Sequence, residues 1–206
     1  MEIELSTEEK IRKAALSVFV AKGFTGCTSR EIAKEAGMNV ALVNYYFCSK
    51  KQLFKLVFET VMHDFLIQTM EIFKSDLDLE SKVRIFIEKE YEFQTIHPDI
   101  PQFIISELSR KDNKFEFDTK PIIKKITETG VFDELKKAQD AGIMRKMDIV
   151  NIMILIISNC QYPFIGKTLI KNINELSDEQ YSNVLMLHKQ YVIEMLVNYL
   201  FINKSK

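Results

Sequence analysis

Apolar residues recur three and four positions apart along nearly the whole chain, the spacing that lines one face of an α-helix. Ile11, Ala15, Val18 and Phe19 form the first such stripe and predict a helix over 7–22. Lys22-Gly23-Phe24 ends it, with Gly23 taking a left-handed cap and Phe24 folding back on the last turn. A second helix begins after Thr28, buries Ile32, Ala33 and Ala36, and stops at Gly37. A third starts with Asn39 as its cap and runs to Phe47; a fourth runs from Ser49 to about Phe73 on Leu53, Leu56, Val57, Val61 and Phe65. Capping boxes at Ser6…Glu9, Thr28…Glu31, Ser49…Gln52 and Ser177…Gln180 mark four helix starts. Beyond residue 75 the pattern predicts a fifth helix over 79–96, ending before "HPDIP". Pro101 and Pro121 suit the first turns of a sixth and a seventh, the latter extending to 141–142 with Gly130 as a weak point. Asp148 is placed to cap an eighth helix that runs towards Pro163, where a kink or break is expected, and a ninth covers 178–202. No strand-like alternation occurs, so the fold class is all-α, with nine helices.

Composition agrees with that reading. The chain is 47% hydrophobic and 28% charged, enough for a sizeable core, while 6 Gly and 4 Pro are too few for the turns of a β-sandwich. The longest apolar run, "IMILIIS" at 152–158, falls far short of the roughly 20 residues of a membrane span. No membrane partner is expected, and the acidic start "MEIELSTEEK" leads to the expectation of a cytoplasmic protein. Cys27, Cys48 and Cys160 have neither an even count nor metal-ligand spacing, and read as reduced thiols. His63, His97 and His188 are scattered, with no nucleophile motif or phosphate loop, so neither an enzyme nor a cofactor or metal is expected. Net charge is −1, but residues 1–55 hold nine Lys/Arg against six Asp/Glu and the rest 19 against 23. A basic head on an acidic body suits contact with a polyanion at one end.

The stretch "TSREIAKEAGMNVALVNYYFCSK", 28–50, holds two short helices joined through Gly37, Met38 and Asn39. Such a pair, with a third helix behind it, makes a helix-turn-helix, here over 29–48. Val43 and Phe47 are its inward pair, which leaves Asn44, Tyr45 and Tyr46 partly outside. An Asn amide makes paired hydrogen bonds with adenine, and Tyr hydroxyls donate to phosphate. Lys50 opens the fourth helix, where backbone amides favour an anion. Two alternatives stay open for Tyr45 and Lys50: packing against the first helix, and plain solvent exposure.

In order and spacing, Lys22-Gly23-Phe24, Thr28 to Gly37, Tyr45-Tyr46-Phe47, and Ser49-Lys50 with Leu53 resemble the N-terminal domain of the TetR family of transcriptional regulators over about the first 60 residues. The resemblance implies a TetR-like architecture: a three-helix DNA-binding head, taken as 1–52, and a ligand-binding and dimerisation body, 53–206. It implies a two-fold dimer meeting a palindromic double-stranded operator. Ser29 and Arg30 would then stand at the backbone or a base edge and Val40, Leu42 and Asn44 at the groove, with Thr28 and Asn39 also counted among the DNA-binding residues. Ala41 would allow close approach, and Tyr45, Tyr46 and Lys50 would hold phosphates. Asn44, Leu42 and Tyr46 depart from the family's usual Tyr, Thr and His, so base specificity is not inherited.

The eighth and ninth helices are apolar on two sides, which fits a homodimer interface built from them and their mates. A small-molecule effector site is expected among the fourth to eighth helices. Its candidate lining is Met62, Phe65, Phe86, Phe93, Phe103, Ile104, Glu107, Phe117, Ile126 and Tyr162, with Glu90 and Asn159 as polar candidates. An apolar or amphipathic effector would release the operator. The alternative is a helical dimer that binds another protein through a head no longer able to bind DNA.

Overall fold

The structure is a computed structural model. It describes residues 5–109 and 120–202, apart from the side chains of Met62, Asp64, Phe65, Gln68 and Ile122. The described residues form eleven helices: α1 Thr7–Gly26, α2 Ser29–Glu35, α3 Val40–Phe47, α4 Lys50–Lys74, α5 Leu79–Ile96, α6 Ile100–Ser109, α7 Lys120–Thr127, α8 Val131–Asp140, α9 Ile149–Ile165, α10 Lys167–Ile173 and α11 Asp178–Leu200. The all-α fold class therefore holds; one expected helix is divided, and α10 is a helix the pattern did not predict. The seventh breaks at Gly130, whose φ of 77° leaves the right-handed region, into α7 and α8. The eighth continues through Pro163 and stops at Gly166, where α9 and α10 bend by 63°. The ninth is α11. Reciprocal capping boxes form at Ser6 and Glu9, Thr28 and Glu31, and Ser177 and Gln180. Asp148 precedes α9 without a side-chain cap bond.

The chain divides into two compact units. Unit 1 comprises Met1–Asp64 and Gln102–Asp118. Its core gathers Ile11, Phe19, Ile32, Val43, Phe47 and Leu53, with Phe54 as a hub whose ring meets those of Phe19 and Phe24 at 4.9 Å and Phe103 at 5.8 Å. At Gly23 the backbone leaves helical geometry with φ 68°, which lets Phe24 turn inward onto Phe54.

Unit 2 comprises Phe65–Pro101 and Thr119–Lys206. Ile87 and Tyr91 of α5, Ile156 and Cys160 of α9, and Leu196 and Leu200 of α11 make its centre. Buried Lys82 is paired with Glu134 at 2.8 Å, so its charge is not stranded. An isolated antiparallel bridge between Met144 and Phe201 ties the end of α11 back to the turn after α8. The Arg145 N–H donates to Leu200 O at 2.7 Å, and the Ile202 N–H to Ile143 O at 2.8 Å. Among the described residues no single helix is long and apolar enough to cross a membrane.

Candidate nucleic-acid interface

An isolated helix as short as α3, with eight residues, is marginal in water, so packing must hold it. Val43 and Phe47 supply that anchor, 3% and 6% exposed in the unit 1 core. The turn before it is built locally. Gly37 takes φ 67°, the Met38 N–H donates to Ala33 O at 2.8 Å, and Asn39 Oδ1 accepts the Leu42 N–H at 2.7 Å. With the inner stripe so fixed and Val40 packed against the same core, Ala41, Asn44, Tyr45 and Tyr46 are left to solvent. Ala41 and Asn44 are exposed and Val40 and Leu42 half-buried, while Tyr45 and Tyr46 are 79% and 41% exposed. The exposure of Tyr45 removes the alternative of packing against α1. The two tyrosine rings meet edge to face at 5.4 Å, which stiffens a pair of outward hydroxyls.

Ser29 and Arg30 open α2 beside this surface, half-buried and exposed respectively. The Thr28 hydroxyl accepts the Glu31 N–H and donates to Glu31 Oε2 at 2.9 Å. Lys22 reaches the same carboxylate at 2.6 Å; Lys22 first, then Thr28, hold it down at about 2. Thr28 is thus engaged as a cap, as is the Asn39 oxygen.

Lys50 differs from its expected place. Its ammonium donates to Phe24 O at 2.7 Å and Cys27 O at 2.6 Å and lies 4.5 Å from the centre of the Phe24 ring. The cause is the break at Gly23, which leaves carbonyls at the end of α1 without helical partners. From another side Glu107 of α6, only 3% exposed, accepts the Phe24 N–H at 3.1 Å. Lys50 and Glu107 therefore clasp one turn, a role sequence reasoning missed for both. The Gly23 break was the available signal, since it announces unpaired backbone groups.

The expected effector lining does not gather in one unit. Phe103, Ile104 and Glu107 pack in unit 1, Phe103 as part of the core. Phe86 and Ile126 pack on the unit 2 core, and Phe93 is half-buried with its ring 5.0 Å from that of His97. Tyr162 is 58% exposed. Phe117 and the side chains of Met62 and Phe65 lie outside the described residues. Asn159 turns its amide to Leu155 O at 2.7 Å, within its own helix.

A polar pair stands inside unit 2 instead. Glu90 and Gln94 of α5 are 2% and 1% exposed, and Gln94 Nε2 donates to Glu90 Oε2 at 3.0 Å. Gln94 Oε1 has no hydrogen-bond partner among the described residues. Burial pushes the Glu90 carboxyl up to about 7, against the bond from Gln94. Nearby, Tyr91 OH and His188 Nδ1 meet at 2.6 Å, and burial lowers the His188 pKa, which favours a neutral ring accepting the tyrosine proton. A groove of about 610 Å³ is lined by Leu79, Glu134, Ala138, Ile143, Phe201 and Ile202, none of them an expected lining residue.

A capped two-helix turn on a buried anchor, with its second helix turned outward, defines a helix-turn-helix protein. Residues 11–57 match the family described as "Bacterial regulatory proteins, tetR family". The chain is 32% identical over 111 residues to a Bacillus subtilis protein named "Probable HTH-type transcriptional regulator YttP", covering 52% of this chain and 53% of that one. It spans about half the length of the curated relatives it matches. Its fold is shared with a TetR family transcription regulator from Marinobacter aquaeolei VT8, at a TM-score of 0.72, 13% identity and 95% coverage of both chains. The regulator FadR from Bacillus subtilis, solved in complex with stearoyl-CoA, has a TM-score of 0.61 at 21% identity, with 92% of this chain and 97% of that one covered.

Proposed function

We propose that this protein is a DNA-binding transcriptional regulator, a repressor that meets a palindromic operator as a homodimer and is released by a small apolar or amphipathic effector. The observation that carries the reading is the outward face of α3: Asn44, Tyr45 and Tyr46 stand in solvent on a helix whose only buried side chains are Val43 and Phe47. An interior helix would bury its aromatics; a groove-reading helix needs an amide and hydroxyls in reach of bases and phosphates. Arg30, Ser29 and the tyrosine hydroxyls act as the backbone-positioning groups of this surface.

Dimerisation runs through α9 and α11, the expected eighth and ninth helices. Supporting this, α9 exposes Val150 and Ile154, and α11 exposes Leu187, Tyr191 and Met195, a density of apolar side chains that monomer surfaces rarely carry. The effector reading is supported by the buried Glu90–Gln94 pair, and by a fold shared with a regulator solved with stearoyl-CoA. An effector favouring the non-binding state by a few kcal/mol suffices to release DNA.

Duplex binding measured by fluorescence anisotropy tests the reading. Affinity is expected to fall steeply with salt as phosphate contacts release counterions. Tyr46→Phe is expected to weaken all sequences alike. Absence of duplex binding at low salt would leave the protein-interaction alternative in its place.

A further inference from the structure

We propose that α3 reads A·T base pairs, so that the block of each half-site lying under it is A·T-rich, recognised through thymine methyls and one adenine edge. This rests on the DNA-binding reading and specifies its ligand.

In the major groove each base pair shows its own set of groups. Guanine offers two acceptors and is matched by the forked donors of Arg or by Lys; cytosine offers a donor and is matched by Asp or Glu. The sequence of α3, Val-Ala-Leu-Val-Asn-Tyr-Tyr-Phe, contains none of these four residues. The cation nearest α3 along the sequence, Lys50, donates to Phe24 O and Cys27 O at 2.7 and 2.6 Å. What the helix does present is the complement of an A·T pair. Asn44, exposed, carries one donor and one acceptor side by side, which fit the N7 acceptor and N6 donor of adenine. Ala41, exposed, and Leu42, half-buried, present methyl groups in the first turn of the helix, while Val40 packs against the core. Thymine is the base that carries a methyl group in that groove.

The other polar groups near this surface do not alter the pattern. The Asn39 oxygen is held by the Leu42 N–H. Tyr45 and Tyr46 stand edge to face as the longest side chains of the helix, and their hydroxyls fit the flanking phosphates rather than base edges. Arg30 is exposed on α2, outside the α3 face, so a guanine preference belongs to the base pairs beside the A·T block. A two-fold dimer doubles the block, with centres about 34 Å apart on one face of the duplex.

Selection of duplexes from a random pool by the full-length protein, followed by binding isotherms on the selected site, tests this. Enriched sites are expected to share two blocks of consecutive A·T pairs. Replacing one contacted thymine by uracil removes only the methyl, and is expected to weaken binding about fourfold, the equivalent of one buried CH₂ group. Replacing T·A by 5-methylcytosine·G is expected to lose less than replacement by C·G, because the methyl is kept. Asn44→Ala is expected to erase an adenine preference of about tenfold at one position per half-site, with thymine preferences unchanged. Enriched blocks rich in G·C, or uracil duplexes bound as tightly as thymine ones, would overturn the proposal while leaving DNA binding intact. Failure to enrich any duplex would overturn the DNA-binding reading itself. The base-substitution arm needs no variant, so a misfolded Asn44→Ala does not blunt the test.

Discussion

Lys50 shows how one side chain can hold the helix-turn-helix head together from within. Its half-buried ammonium closes the Phe24–Cys27 turn through two charge-assisted bonds. Lys50→Met keeps the aliphatic stem and removes both bonds. The expected loss is about 2 kcal/mol, read as a lowered urea midpoint. Glu90 gives a second prediction, on pH. Its folded pKa is raised from 4.5 to about 7, so between those values the native state keeps a proton that the unfolded chain has released. Stability owed to this group is therefore intact at pH 4.5 and lost as pH rises through about 7. Glu90→Gln is expected to be near neutral at pH 5 and to stabilise by roughly 3 kcal/mol at pH 8. Equal effects at both pH values would contradict that assignment.

The turn between α2 and α3 sets how the outward face is presented. Gly37 has φ 67° and open space where a Cβ would stand, so Gly37→Ala should cost only the backbone term, about 1–2 kcal/mol, with the helix content retained. Elements like this were legible because their causes are local. A glycine, a cap and two apolar residues four apart lie within a dozen positions of one another, and the same holds for the boxes at Ser6, Thr28 and Ser177. Pro163 was misleading for a physical reason: its ring is accommodated within α9, and the chain bends instead at Gly166, where an added Cβ would stand 3.1 Å from Tyr162 O. Contacts across the chain were illegible. Periodicity marks Glu107 as inward-facing on α6 but does not say that its carboxylate meets Phe24, 83 residues away. Nor does it say that α6 supplies Phe103 to the ring cluster around Phe54. The face of α3 lay between these cases: its inner pair followed from spacing, and the outer residues followed by exclusion.

At the scale of the whole molecule, net charge of −1 and a modestly basic head leave no large field to drive DNA binding from one copy. In the proposed dimer, doubling the head by symmetry would double the phosphate contacts without a more basic chain. Leu187→Glu, on the outward side of α11, is expected to give a folded monomer by sedimentation and to weaken duplex binding strongly, since one head then acts alone. The most direct measurement is affinity for a mixed-sequence duplex against salt, for the natural protein and for Asn44→Glu/Tyr45→Glu. With α3 in the groove, affinity falls linearly on logarithmic axes as salt rises, and the two added charges abolish binding while the fold, by circular dichroism, is unchanged. Binding that ignores both salt and the added charges would show that the duplex is held by another surface, or not held at all.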